Sequence, residues 1–149
     1  MTKRKSNALI FMAIALVLAI VFYQNSVFPN NPEAYFNSKY YYQFGPIAIC
    51  VELFIAGIYL FQGHKKSNFT LALFAFNALL DPIFNLIGLF DSNVPIYATI
   101  IFVVCAIWSL YLAFSNTYNL GRISLLEVLG SFILGATLEL SFNYLFQFL

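Results

Sequence analysis

The sequence predicts an all-α, polytopic membrane protein with five transmembrane helices, and three observations carry that prediction. Of its 149 residues, 62% are hydrophobic and only 9% are charged, too few polar side chains to cover a soluble domain of this size. The apolar residues fall into five runs, each near or above the length that crosses the hydrocarbon core. Six of the seven lysines and arginines lie in gaps on one side of that pattern: Lys3, Arg4 and Lys5, then Lys65 and Lys66, then Arg122. Lys39 alone lies in a gap on the other side. Positive charge near span ends stays cytoplasmic. The N-terminus is therefore expected inside and the C-terminus outside, in a plasma or bacterial inner membrane, with residues 1–149 forming a single transmembrane domain.

The first run, about Ala8 to Tyr23, follows a basic leader. It ends in Tyr23-Gln24-Asn25-Ser26 with no small-x-small cleavage site, so it reads as a retained signal-anchor and not as a cleaved signal peptide. Residues 24–44 form the longest gap. Asn31-Pro32-Glu33 marks a helix start, with Asn as cap and Pro in the first turn. The aromatics that follow (Tyr35, Phe36, Tyr40, Tyr41, Tyr42 and Phe44) suit the headgroup layer. A short interfacial helix over 32–44 is expected on the outer surface, as an anchoring belt or, in a livelier reading, as a lid over a ligand. The later spans are expected at about 45–62, 69–90, 95–115 and 123–148. Asn68-Phe69-Thr70 matches the N-glycosylation pattern but falls on the expected cytoplasmic side, where it would be silent.

Ionisable side chains inside a span are costly unless they are partnered, neutral or turned inward. Glu127 lies close enough to a span end to reach headgroups. Glu52, Asp81 and Glu139 do not. With about 1.5 Å of rise per residue, they lie roughly 10, 13 and 13 Å below the expected outer boundary, on spans two, three and five. Asn77, Asp81 and Asn85 recur every four residues on span three, as do Glu127, Ser131, Gly135, Glu139, Asn143 and Gln147 on span five, and each set makes one helical stripe. Ala48 and Ala56 flank Glu52 on span two, small residues that allow close helix approach. Spans two, three and five are therefore expected inside the bundle, with one and four facing lipid. Burial and mutual repulsion disfavour three simultaneous charges, so at least one of these acids is expected to carry a proton and donate it to a neighbour. Pro82 removes a backbone donor beside Asp81, which predicts a kink and freed carbonyl oxygens. The bland alternative is that these polar groups serve only as interhelical glue.

Other chemistry is missing from the sequence. There is no GxSxG elbow, HExxH, P-loop or Cys-His pair. Cys50 and Cys105 sit alone in apolar runs and read as buried hydrophobes, not as a disulfide or metal pair. A single histidine argues against a histidine-built metal enzyme. No cofactor, metal or nucleic-acid partner is expected.

Residues 45–115 resemble part of the EXPERA family, which includes the sterol isomerases and the sigma-2 receptor. The likeness rests on a glutamate early in a span, in Ile49-Cys50-Val51-Glu52-Leu53-Phe54, and on the polar-proline step of Leu80-Asp81-Pro82-Ile83. It implies an acidic intramembrane cavity for amines or sterols, although the fifth span departs from that four-helix family.

The leading expectation is an acid-lined intramembrane pocket that binds or translocates a cation, a proton or a small cationic or lipid-like ligand. Glu52, Asp81 and Glu139 would be the binding carboxyls, completed by Asn77, Asn85 and Asn143. Two alternatives stand beside it: an accessory subunit packed against a larger membrane complex, and an intramembrane enzyme acting on a lipid or isoprenoid. Enzymatic function is the less favoured class. Membrane lipid, a membrane protein partner or a second copy of the chain are the expected neighbours.

Overall fold

The computed structural model describes residues 1–145, so the expectations that fall on Gln147 and on the end of the fifth span lie outside the described residues. Among the described residues there is no strand, and five helices are long and apolar enough to cross a membrane. These are α1 (Lys3–Asn25), α3 (Gly45–Gln62), α4 (Ser67–Leu86), α5 (Ile96–Phe114) and α6 (Leu125–Leu140), while α2 (Ser38–Tyr42) is a short element between α1 and α3. The 18 residues of α3 give about 27 Å of length, close to the thickness of the hydrocarbon core.

The helix ends follow from local chemistry. The Thr2 hydroxyl caps α1, and Pro46 opens α3 in the first turn, where its missing N–H costs nothing. Gly63 closes α3 in the left-handed region at φ 69°, and His64 N–H reaches back to Tyr59 O, a hydrogen bond that satisfies a terminal carbonyl. α6 opens with a full capping box between Ser124 and Glu127. The third span closes at Leu86, short of Phe90, because Gly88 (φ 73°) turns the chain and lets Leu89 N–H bond Phe84 O. Residues 32–44 are not one helix. A 3₁₀ turn at Pro32–Phe36 breaks at Asn37, whose side chain accepts from Lys39 N–H and starts α2.

α4 is the central helix, packed on α3, α5 and α6, and α1 lies against α3. Gly57 brings α1 and α3 together: a Cβ there would stand 2.6 Å from Met12 Cγ and 3.1 Å from the Ala8 carbonyl. Gly135 does the same for α6, with Asn77 N only 3.0 Å from where its Cβ would be. The expected division into inner and outer spans needs correction. α1 contributes Ala8, Phe11, Ala15, Leu18 and Phe22 to the core, and α5 contributes Ala98, Phe102, Cys105, Ala106, Leu112 and Ala113. Within α6 only Ser131, Gly135 and Glu139 are buried, so the fifth span is the most exposed and touches the bundle along a narrow seam. The reason is size: a helix whose inward face carries small and polar residues sits close to a single neighbour and covers little apolar surface.

The bundle has two chemically different ends. Arg4 lies over Gly63, Lys5 over the Phe61 ring and Lys66 beside Glu127, which gathers the basic residues at one end. The opposite, tyrosine end carries α2 and the loop between α4 and α5, joined where Tyr42 Oη donates to Asp91 O at 2.5 Å and Asn93 Nδ2 donates to Tyr42 O at 3.3 Å.

Candidate functional site: an acid cluster between three helices

α3, α4 and α6 each bring one carboxyl group to a common layer. Asp81 and Glu139 are 2% and 3% exposed, and their carboxyl groups lie close to one another. Glu52 lies within electrostatic reach of Glu139 and accepts from Asn77 Nδ2 at 2.8 Å.

The four-residue step on α6 is realised as a buried stripe of Ser131, Gly135, Glu139 and Asn143. A strict α-helix drifts by about 40° over each four residues, which would swing Asn143 away from Glu139. Residues Ser141–Leu145 form a π turn instead, and the wider turn keeps Asn143 against the acid. There its Nδ2 donates to both the backbone carbonyl and the carboxylate of Glu139.

Asn77 is buried beside Glu52, but Asn85 is not part of the cluster. It is exposed near the end of α4, and its Oδ1 accepts from Ser92 N–H at 3.2 Å. Two four-residue steps rotate it by about 80° from Asn77. It shapes the loop that the site uses and does not line the site itself.

Ser92 carries the contact that sequence reasoning missed. Its hydroxyl reaches both oxygens of Asp81, at 2.8 and 2.7 Å, and accepts from Val94 N–H at 3.1 Å. A loop serine eleven residues from its partner leaves no periodic signal in the sequence. Tyr42 is the second such residue. Burial first, then the negative potential of Asp91, Asp81 and Glu139, pushes its phenol above the ordinary tyrosine range, which places α2 within the field of the acids.

Two oxygens in this region lack a donor: Glu52 Oε1 and Asn77 Oδ1 are both buried without a hydrogen-bond partner. Buried acceptors left bare are uncommon and costly, and two of them side by side suit a species that brings N–H or O–H donors. Among the described residues no lysine or arginine makes an ion pair with any of the three acids. No group of three His, Cys, Asp or Glu among the described residues is arranged to hold a metal ion. The arrangement leaves two buried acceptors open to hydrogen bonds from N–H or O–H donors.

No protein-family model, curated protein or solved structure matches this chain.

Proposed function

We propose that this is a small polytopic membrane protein whose acid cluster binds a proton or a small cationic species and translocates or senses it. The observation that supports this reading best is the pair of orphaned acceptors, Glu52 Oε1 and Asn77 Oδ1, near the buried Asp81 and Glu139 carboxyls. Interhelical glue needs neither feature, since Asn or Ser would supply it with no buried acid. By the positive-inside rule the basic end faces the cytoplasm of a plasma or bacterial inner membrane. The acid cluster then lies in the outer half of the bilayer, with the tyrosine-rich segment Pro32–Tyr42 on the outer surface. Guests would reach the acids from that side, past Tyr42 and Ser92. Asp81, Glu139 and Glu52 would bind, while Asn77 and Asn143 hold the carboxyls in place.

The test is reconstitution into vesicles with a pH-sensitive dye trapped inside, with proton and monovalent-cation flux measured across a range of external pH. The wild-type protein is expected to give a pH-dependent signal over empty vesicles, reduced at least tenfold by Asp81→Asn and Glu139→Gln and more weakly by Glu52→Gln. A signal unchanged by all three amide variants, with each variant folded by circular dichroism, would overturn the proposal.

A further inference from the structure

At the basic end, α4 and the loop leading into α6 enclose a second, chemically opposite site. A cleft of about 220 Å³ is lined by Lys65, Lys66, Arg122, Phe69, Ile123 and Glu127. Its walls are held by a buried side chain. Asn68, 5% exposed, donates from Nδ2 to Gly121 O at 2.6 Å and to Asn116 Oδ1 at 3.0 Å. Gly121 sits at φ 116°, in a region that favours glycine, and the position its Cβ would occupy is 4.0 Å from the Lys65 carbonyl. The loop is therefore pinned across the start of α4, and Arg122 is carried to the same cleft as Lys65 and Lys66.

The charges do not cancel. Lys66 is paired with Glu127 at 3.4 Å, while Lys65 and Arg122 make no ion pair among the described residues. The Glu127 carboxylate is further occupied by Ser124, through its backbone N–H at 2.9 Å and its hydroxyl at 3.1 Å. Two uncompensated cations thus face a cleft whose remaining wall is Phe69, Leu120 and Ile123. Lys65 and Lys66 immediately precede α4, and Arg122 lies three residues before α6, so both sets of charge fall at the headgroup level of any bilayer these helices cross. Cations above an apolar wall, at that depth, match an amphiphile with a negative head and a greasy body.

We infer that this cleft binds the phosphate headgroup of an anionic phospholipid, with Lys65 and Arg122 as the principal contacts, Lys66 as a third and Asn68 as the residue that positions the loop. This site is independent of the acid cluster and stands or falls separately from it.

The experiment uses the full chain in a non-ionic detergent, titrated with short-chain phosphatidylglycerol, short-chain phosphatidylcholine or inorganic phosphate, with bound molecules counted by native mass spectrometry. Phosphatidylglycerol is expected to bind as a single tight equivalent, and phosphatidylcholine and inorganic phosphate at least tenfold more weakly. Lys65→Gln combined with Arg122→Gln should weaken phosphatidylglycerol roughly 30-fold, the fall expected for two basic residues near an anionic surface. Lys3→Gln combined with Lys5→Gln removes equal charge at the same end but outside the cleft, and should cost less than about threefold, since exposed charges away from the cleft are screened. Asn68→Ala should weaken binding without removing a charge. Equal losses in the two double variants would reduce the site to diffuse surface charge and overturn the inference. Equal binding of both lipids would also overturn it, as would inorganic phosphate binding as tightly as phosphatidylglycerol.

Discussion

The seam between α4 and α6 can be tested with two glycines on the same helix that should respond in opposite directions. A Cβ on Gly135 would lie 3.0 Å from Asn77 N, 3.4 Å from Asn77 Cα and 3.4 Å from Leu73 O. All three are backbone atoms that cannot rotate aside. Gly135→Leu must therefore push α6 outward, and overpacking of this kind costs about 1–3 kcal/mol. The cost should fall toward the upper end, because α6 buries only Ser131, Gly135 and Glu139 along its helical length. Gly130 is the control: its Cβ would meet only the edge of the Phe69 ring, at 3.9 Å. Gly130→Ala should stabilise α6 by about 0.5–1 kcal/mol through reduced backbone entropy. The two variants should therefore differ by about 1.5–4 kcal/mol. Unfolding in mixed micelles, followed by circular dichroism and by fluorescence of the single tryptophan, Trp108, would measure the difference. A Gly135→Leu protein within about 0.5 kcal/mol of wild type, or a reversed order of the two variants, would refute a close α4–α6 seam.

Ser92→Ala should destabilise the protein by about 1–2 kcal/mol, since it strips a donor from buried Asp81 and an acceptor from Val94 N–H; Ser92→Thr should restore most of the loss in a thermal melt, and a silent alanine would remove Ser92 from the site. Tyr42 offers a pH test. Its phenol is raised from 10.0 by burial and by nearby carboxylates, so the neutral form is the one the fold favours. That contribution is fully present below pH 10 and is lost as pH climbs through the folded value. Tyr42→Phe should flatten this alkaline decline and remove one late phenol from an ultraviolet titration, and an unchanged alkaline limb would count against the placement of α2.

Much of the architecture could be read from the residues because a membrane span writes its length and its helical period into the sequence. The rise per residue put Glu52, Asp81 and Glu139 in one layer, and the four-residue step on α6 traced the stripe that packs on α4. The same arithmetic failed at Asn85, where the drift of a 3.6-residue turn carries the side chain out of register. It also assigned α6 too much burial, because a stripe of small and polar residues shows which face is turned inward without showing how little of the helix that face covers. Ser92 and Tyr42 were illegible for another reason. They sit on connecting segments, and whether those segments fold back over the acids depends on loop geometry that no periodicity encodes.

The contact between Asp81 and Glu139 has a consequence for biogenesis. α4 precedes α6 in the chain, so during synthesis Asp81 enters the bilayer before its partner has been translated. A lone charged carboxyl at that depth would cost several kcal/mol, which favours insertion of α4 as the neutral acid. Arrival of α6 then brings Glu139 and its Asn143 partner to the buried Asp81, so the acid cluster is complete only once the last helix has packed.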